Sequence, residues 1–519
     1  MSGCAKVGPD FVPPAAPVAD AWLNAADPRI TTGAPEDVRW WDAFADPRLS
    51  NLIRIAHEQN PTVQIAGVRV LQARAQLGAT IGDLYPQKQQ VFGELTHERL
   101  SDRESSRGLT RDVAQRSGVR RNLPSLDDNS FWVTQFGVGA TWELDLWGKF
   151  RRAIEGADAN LMASVASYDD ALVSLTGEVA STYVNIRTYE ERLRIARENA
   201  EIQRESLRLA DVRFRNGETS ETDVEQARSE YAQTRSQIPQ LEIGVRQNQH
   251  ALSVLLGMPP SNLEDLLGAG GPIPGAPAEV AIGIPADLLR RRPDIRSAEQ
   301  QAAAQSAMIG ATKADLYPAF SLSGTFGFLS TDIGGSDLSD VFDWKSRVVS
   351  FGPAVVWNVL NYGQITNQVR AQDAAFQQAV LSYQNTVLQA QQEVEDALAG
   401  FLGAQASVAL LAEAVAAARR SVDLATIEYR EGATDYTTAL TAQENLLEQQ
   451  DQLAVTQGSV AQALISLYRA LGGGWQAREG EAFVRADIRD AMAERTDWGR
   501  LLEEEPSEEA ARPVPLPEF

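Results

Sequence analysis

Cysteine and histidine are scarce in this sequence. The 519 residues include one cysteine, Cys4, so no disulfide can form within the chain. The three histidines, His57, His97 and His250, are far from one another and from the cysteine. Metal sites built from these residue types need them at close spacing, and the sequence therefore predicts no metal site.

Positive charge and long apolar runs are scarce too. The 47 basic residues face 70 acidic ones, for a formal net charge of −23, which makes nucleic acid a poor partner. No apolar run reaches the roughly 18 residues of a transmembrane helix, so a chain that crosses a membrane would have to use strands. No nucleophile elbow, phosphate loop or pair of catalytic carboxylates occurs, and we predict neither enzymatic activity nor a cofactor.

The single cysteine follows Ser2 and Gly3. Ser-Gly-Cys resembles the end of a bacterial lipoprotein signal, after which the cysteine carries acyl chains such as palmitate. Two or three such chains anchor a protein firmly, at about 0.8 kcal/mol per buried methylene. No apolar signal core precedes Cys4, and a chance cysteine in a flexible tail is the alternative. We predict that Cys4 carries covalent lipid.

The sequence contains two copies of one unit. GATIGDLYP at 78–86 returns as GATKADLYP at 310–318, an offset of 232. Further along the offset is 215: Trp142 returns as Trp357, and the register then holds to the end of the repeat. Each copy reads as a helix, two strands, a very long helix, a glycine turn and a returning helix. The chain is therefore predicted to be one duplicated architecture.

Apolar and polar residues alternate with a period of two in four segments, which predicts four strands. Trp132, Phe136 and Trp142 lie on one side of such a segment, while Gln135 and Glu143 lie on the other. This pattern is typical of membrane barrel strands and also of half-buried strands in a soluble sheet. Four strands cannot close, so a membrane barrel would have to be shared by three chains, with twelve strands, or by two, with eight. The predicted strands are Lys88–Leu100, Phe131–Trp147, Ala319–Ser330 and Arg347–Leu360.

A long heptad pattern follows each pair of strands. One begins near Ile154 and the other near Val369. About 60 residues without proline correspond to roughly 90 Å of helix, which is too long for a compact core. Gly217 and Gly432 then end the helices as hairpin turns. A fibrous coiled coil is the alternative, but it leaves the strands unexplained. The returning helices are predicted at Glu221–Leu256 and Asp435–Leu471.

Five further motifs occur in order: GPDFVPP at 8–14, DLYP at 83–86, WELDLWGKFRR at 142–152, RRRPDIRSAEQ at 290–300 and LYRALGGGW at 467–475. Together they resemble the TolC-like outer-membrane factors of tripartite export systems, closest to the lipoprotein branch of OprM, CusC and NodT type. The resemblance covers nearly the whole chain. It implies an α+β membrane protein, a homotrimer in which a twelve-stranded transmembrane β-barrel continues into a twelve-helix periplasmic α-barrel.

The resemblance also divides the chain into five segments. Residues 1–47 would be a lipid-anchored extended segment, 48–257 the first repeat, 258–285 a connector, 286–471 the second repeat, and 472–519 a C-terminal segment with an acidic tail that we expect to be disordered. The first, third and fifth segments would form an equatorial belt. The implied location is the outer membrane of a Gram-negative cell, with the helices extending into the periplasm.

In this family, inward helices close the tunnel at the hairpin tips through hydrogen bonds, charge pairs and acidic residues. Asp223 falls on the matching aspartate position of the first hairpin. Thr441 and Thr434 stand where relatives carry an aspartate and a gating arginine, so the sequence departs from the family pattern there. Ordinary solvated helix ends are the alternative reading of this region. The candidates to replace the missing charges, close by in sequence, are Asp435, Tyr429 and Arg215.

The predicted function is a passive exit duct for drugs or other small toxic compounds. The implied partners are a periplasmic adaptor, an inner-membrane pump of the proton-driven RND type, and outer-membrane lipid around the barrel. The duct of a type I protein secretion system and a fibrous surface adhesin are the alternatives. An arginine-rich insertion at 99–121 would lie outside the cell, either solvated or in contact with lipopolysaccharide phosphates.

Overall fold

A computed structural model of the chain describes residues 6–31, 33, 38–99, 130–332, 337–478 and 480–502. Cys4 and all of the arginine-rich insertion except Arg99 lie outside the described residues. The chain forms two compact units. The first comprises Met1–Val12, Ala75–Ala159 and Ala303–Gln377, and the second comprises Pro13–Arg74, Asn160–Ala302 and Gln378–Phe519.

Helices and strands follow the order that the repeat predicts. In the first half they are β1 (Ile30–Thr31), α1 (Pro47–Gln59), α2 (Pro61–Gly82), β2 (Lys88–Arg99), β3 (Ser130–Leu144), α3 (Lys149–Arg215) and α4 (Glu221–Leu255). In the second half they are α5 (Glu264–Leu267), β4 (Val280–Ala281), α6 (Leu288–Arg291), α7 (Pro293–Ala314), β5 (Ala319–Thr331), β6 (Arg347–Val356), α8 (Gln364–Arg430), α9 (Tyr436–Ala470) and α10 (Ala486–Arg495).

The first unit holds a four-stranded antiparallel sheet in the order β2-β3-β5-β6. The register places Phe136 opposite Phe328, and most of the large apolar residues of the four strands share this face. The other face is more polar, although Phe92 and Leu329 lie on it, and the carboxylate of Glu94 accepts a hydrogen bond there from Gln135 Nε2 at 2.8 Å. β2 and β6 are the edges, and within the described part of the chain neither has a second strand partner.

Two long hairpins dominate the helical part of the chain. α3 and α8 have 67 residues each, and α4 and α9 have 35 each. At 1.5 Å per residue, α3 and α8 are about 100 Å long. In the second unit the helices approach closely where a glycine faces a side chain. A Cβ added to Gly458 of α9 would lie 2.4 Å from Thr188 Oγ1 of α3, so only glycine fits there without a shift.

An extended N-terminal segment of the second unit, residues 15–23, lies along α8. The Gln391 side chain accepts a hydrogen bond from the amide of Ala19 at 2.8 Å and donates one to the carbonyl of Pro17 at 2.8 Å. Glu395, one turn further on, accepts a hydrogen bond from the amide of Leu23 at 2.7 Å. Just beyond this segment, β1 pairs in parallel with β4 of the predicted connector.

Several predicted boundaries were wrong by a few residues. β3 and β6 end before the predicted Trp147 and Leu360. Each strand is followed by a turn that contains a glycine with positive φ, +77° at Gly148 and +83° at Gly363, and the next helix begins at once. As a result α3 and α8 each begin five residues earlier than predicted. The predicted starts of β2, β5, β6 and α4 match the structure, and the predicted end of β2, Leu100, lies outside the described residues. The start of β3, the ends of β5 and α4 and both ends of α9 differ from prediction by one residue.

α8 also corrects the expectation that no helix is apolar enough to cross a membrane. An 18-residue window of α8 has a mean hydropathy of 1.6 and at most two charged residues, and 11% of it is buried. The prediction considered only uninterrupted apolar runs, whereas α8 interleaves alanine, leucine and valine with single polar residues. By length and composition, α8 is the one helix among the described residues that could span a membrane.

Candidate gate at the helical hairpin tips

Each hairpin turns at the predicted glycine. Gly217 and Gly432 have φ values of +75° and +76°, a conformation that other L residues rarely adopt. Beyond Gly217 the amide of Glu218 donates to the carbonyl of Arg213 at 2.9 Å, and the second turn repeats this pattern. These bonds satisfy carbonyl groups that the last turns of α3 and α8 would otherwise leave free.

Two buried tyrosines lie at the centre of the tips. Tyr429 in the last turn of α8 and Tyr436 at the start of α9 pack edge to face, with ring centroids 5.4 Å apart. Burial raises the pKa of both hydroxyls above the usual range, so both are neutral at physiological pH. Because the surrounding residues come from all four long helices, this core joins the two hairpins of one chain. They are Ala210, Val224, Ala227, Ala425 and Ala439.

Arg213 of α3 provides a second connection between the hairpins. Its guanidinium carbon lies 4.8 Å from the centroid of the Tyr429 ring. Its Nη1 donates hydrogen bonds to the carbonyl of Tyr429 and, at 3.4 Å, to the carbonyl of Arg430. Both carbonyls belong to the C-terminal end of α8, where the helix dipole favours a cation. A Cβ on Gly432 would lie 3.3 Å from Arg213 Nη2, so this glycine also leaves room for the guanidinium.

Asp223 belongs to the N-terminal cap of α4. The Ser220 hydroxyl accepts a hydrogen bond from the amide of Asp223 at 3.3 Å and donates to its carboxylate at 3.0 Å. The Thr219 hydroxyl donates to the other carboxylate oxygen. A hydroxyl paired in this way with an acid three residues later stabilises a helix start by about 1 kcal/mol. Both carboxylate oxygens of Asp223 are therefore engaged locally in the single chain.

Arg215 and Thr434 do not join this cap. Arg215 is 74% exposed and pairs with Asp211, one turn earlier in its own helix, at 2.7 Å. The hydroxyl oxygen of Thr434 is buried, and among the described residues it has no hydrogen-bond partner. Thr434 therefore contributes a short side chain that forms no charge pair.

Asp435 and Thr441 lie together in a groove on the second hairpin. Asp435 caps α9 by accepting hydrogen bonds from the amide and the hydroxyl of Thr438, at 3.2 and 3.1 Å. The Thr441 hydroxyl donates to the carbonyl of Thr437 at 2.9 Å. The groove has a volume of about 500 Å³. Asp435 is its one acidic lining residue, and no group of three or more His, Cys, Asp or Glu among the described residues could hold a metal ion.

The structure therefore separates the predicted residues into three places. Tyr429 lies in the tip core, near enough to Asp223 for that carboxylate to add to the effect of burial on the tyrosine pKa. Asp435 and Thr441 share the groove, and Arg215 stands apart. Sequence reasoning missed Arg213. The only sequence signal for Arg213 was its position one turn before Gly217, and that position does not reveal which carbonyl groups the guanidinium would contact.

Two features together define the class of outer-membrane channel proteins. The strands form a sheet with one mainly apolar face, and each pair of strands is followed by a hairpin of very long helices, with the tips of the two hairpins packed together. The chain belongs to the outer membrane efflux protein family, whose family model matches residues 52–258 and 284–473. It is accordingly an outer-membrane protein, the channel component of an efflux system. The family predicted from the five motifs is confirmed.

Relatives and solved structures match over most of the chain. The pyoverdine export outer membrane protein OpmQ of Pseudomonas putida is 33% identical over 85% of this chain and 89% of its own length. The toluene efflux pump outer membrane protein TtgI of the same species is 31% identical over 92% of this chain and 96% of its own length. The structure of the outer-membrane channel OprN has a TM-score of 0.79 and 30% identity, and covers 91% of this chain and 99% of that one.

Proposed function

We propose that three copies of this chain form one duct. Each copy would add four strands to a twelve-stranded transmembrane β-barrel and four long helices to a twelve-helix periplasmic α-barrel. The edges β2 and β6 carry the proposal, because backbone groups without partners in hydrocarbon cost several kcal/mol each. Pairing of β6 with β2 of the next copy would satisfy both edges and close the sheet.

The two faces of the sheet support this arrangement. In a closed barrel the apolar face would meet lipid and the polar face, with Glu94 and Gln135, would line a water-filled bore. The exposed apolar window of α8 would pack against a neighbouring copy instead of lipid. The equal lengths of α3 and α8, and of α4 and α9, support an internal duplication that places four equivalent helices per copy in the wall.

The duct would be a passive exit path for drugs or other small toxic compounds, and not an enzyme. The names of two relatives refer to pyoverdine export and to a toluene efflux pump, and both cargoes are small compounds. The energy would come from an inner-membrane pump of the proton-driven RND type, joined to the hairpin tips by a periplasmic adaptor. Lipid on Cys4 would hold the N-terminus in the outer membrane.

The hairpin tips are the proposed gate. In a closed ring, three copies of Asp223 would approach the axis, repel one another and attract cations. Tyr429 and Arg213 would keep the hairpins of each chain together, and Thr434, Asp435, Thr441 and Arg215 would line the outer part of the aperture.

The charge of Asp223 can be tested separately from its capping role. Asp223→Asn keeps one oxygen, which can still accept one of the two hydroxyl hydrogen bonds, but removes the charge, so we expect the preference for cations to fall about twofold. The measurement is the reversal potential under a salt gradient in planar bilayers. Glu221→Gln, in the same helical turn, is the control and should retain the parent selectivity. Equal selectivity of Asp223→Asn and the parent would remove Asp223 from the gate.

The duct itself is tested by combining conductance with tolerance. We expect the purified chain to form steady pores in planar bilayers, and we expect loss of its gene to reduce tolerance of small toxic organics such as toluene. Reintroduction of the chain should restore tolerance. Unchanged tolerance with loss of a secreted protein would favour the type I secretion duct, and absence of conductance would contradict the duct altogether.

A further inference from the structure

A cavity of about 1000 Å³ in the second unit is lined by more arginines than acidic residues. Two glutamates, Glu58 and Glu481, are its acidic lining residues. Five arginines line it as well, three more than the acidic lining residues. They are Arg39, Arg54, Arg478, Arg485 and Arg489.

Four of these arginines are neutralised by neighbours. The ion pairs are Arg39 with Asp42 at 3.1 Å, Arg54 with Glu58 at 2.7 Å, Arg478 with Asp169 at 2.7 Å, and Arg485 with Asp487 at 2.7 Å. Arg489 of α10 differs from them. Within the described ranges it forms no ion pair, and its Nε is buried without a hydrogen-bond partner.

A second donor in the cavity also lacks a partner. Trp41 lines the cavity and is 4% exposed, and among the described residues its Nε1 has no acceptor. His57, another lining residue, does not supply one: its Nε2 interacts with Thr176 Oγ1 at 2.7 Å, and no hydrogen bond joins its ring to Trp41 Nε1. Burial of donors without acceptors is costly, and two such donors in one cavity indicate a ligand rich in acceptor oxygens.

We infer that this cavity binds carboxylates of the acidic C-terminal segment of the same chain, residues 503–519. That segment carries six glutamates and one arginine, so it can supply a carboxylate to Arg489, the one lining arginine without an ion pair among the described residues. A carboxylate accepts hydrogen bonds from a guanidinium in a bidentate geometry, which suits the unpaired Arg489.

The path of the chain supports the same occupant. α10, which contributes Arg489, ends at Arg495, and the described residues end at Leu502. The 17 residues that follow could extend by up to about 55 Å, so the segment is long enough to return to the cavity. Binding in cis also has the advantage of a high effective concentration.

Limited proteolysis of the full-length protein tests the inference. A glutamate-specific protease cleaves within residues 503–509, and mass spectrometry follows the rate. We expect the protein to be cut there about tenfold more slowly than a synthetic peptide of residues 503–519, since a charge-assisted hydrogen bond is worth about that factor. Arg489→Gln should raise the rate to that of the peptide. Arg495→Gln, an equal change of charge in the same helix but outside the cavity, should retain the parent rate.

Two further measurements separate binding from misfolding. Trp41→Phe removes one unpaired donor without changing the charge, and we expect it to accelerate cleavage while the melting temperature stays within about 2 °C of the parent. Raising NaCl from about 50 to about 500 mM should accelerate cleavage of the parent and not of the peptide. Cleavage of the parent at the peptide rate, or slow cleavage that Arg489→Gln leaves unchanged, would overturn the inference.

Discussion

Arg213 and Arg215 are two residues apart and differ in every contact. Arg213 is 12% exposed and donates to carbonyl groups at the end of α8, whereas Arg215 is 74% exposed and pairs with Asp211 of its own helix. Residues two apart on a helix point to different sides. The sequence predicts that both lie in the last turn of α3, but it does not reveal which side meets the second hairpin. The sequence therefore named Tyr429 as a gate candidate but missed Arg213, which contacts it.

This contrast makes the two arginines a matched pair. We expect Arg213→Ala to destabilise the tip core by about 2 kcal/mol, because it removes charged hydrogen bonds and a stacking cation. Arg215→Ala should cost less than about 0.5 kcal/mol, since its ion pair is exposed. Hydrogen exchange of residues 425–436 measures the difference as an approximately 30-fold faster opening in the first variant. Similar exchange in both variants would contradict the role of Arg213.

Asp170 of α3 is a second residue whose environment the sequence did not reveal. Burial raises its pKa to about 6, and the carboxylates of Asp294 and Glu393 add to the rise against the opposing charges of Arg292 and Arg469. The usual pKa of an aspartate is 3.8. Because the folded chain holds this proton more tightly than the unfolded chain, stability falls as pH rises between about 4 and about 6.

Asp170→Asn should therefore stabilise the protein at neutral pH. We expect a gain in the free energy of unfolding of up to about 3 kcal/mol at pH 7.5 and little change at about pH 3, where Asp170 is mostly protonated in both states. Melting temperatures across this pH range provide the measurement. Asp211→Asn, at an exposed ion pair, is the control. A gain from Asp170→Asn that does not shrink as pH falls would exclude this explanation.

Helices and strands were the features that the sequence predicted most completely. Periodicity is a property of many residues at once, so the alternation in β3 and the heptads of α3 and α8 survive local exceptions. The exact ends of strands and helices depend on single turns. The turns at Gly148 and Gly363, where φ is positive, determine where α3 and α8 begin, and periodicity does not predict these positions. Close approaches between helices were also missed, because a glycine inside a heptad gives no sign of what it faces.

Gly458 of α9 provides a test at this scale. We expect Gly458→Ala to lower the free energy of unfolding by about 1–3 kcal/mol, because the new methyl group would collide with Thr188 of α3. Thr188→Ala removes the two nearest atoms, so the double variant should recover about 1 kcal/mol relative to the sum of the single changes. Denaturant unfolding of all four proteins measures this coupling. Additive losses would mean that the two helices do not meet there.

The number of chains in the assembly is a property of the whole molecule. One chain displays unpaired sheet edges and an exposed apolar stretch of α8, but neither feature fixes how many copies cover them. The closing of the barrel by three copies therefore stays a prediction. The family, by contrast, was predictable because its motifs are spread along the whole chain.

Leu410 lies in the apolar part of α8 and is 68% exposed in the single chain. If neighbouring copies cover it, Leu410→Glu buries a charge without a partner, and we expect trimers to dissociate. Leu410→Met keeps the volume and should leave assembly intact. Native mass spectrometry in detergent measures the number of chains. Trimers that tolerate the glutamate would show that this face of α8 is not an interface.

The N-terminal segment along α8 has a consequence for biogenesis. Its hydrogen bonds join residues 372 positions apart in the chain, as between Ala19 and Gln391. Closing so long a loop is entropically costly and favours late formation. Residues 15–23 can therefore form these hydrogen bonds only after α8, in the second repeat, has been synthesised. A chaperone that keeps residues 15–23 unpaired during export would therefore act on the last contacts of the fold to form.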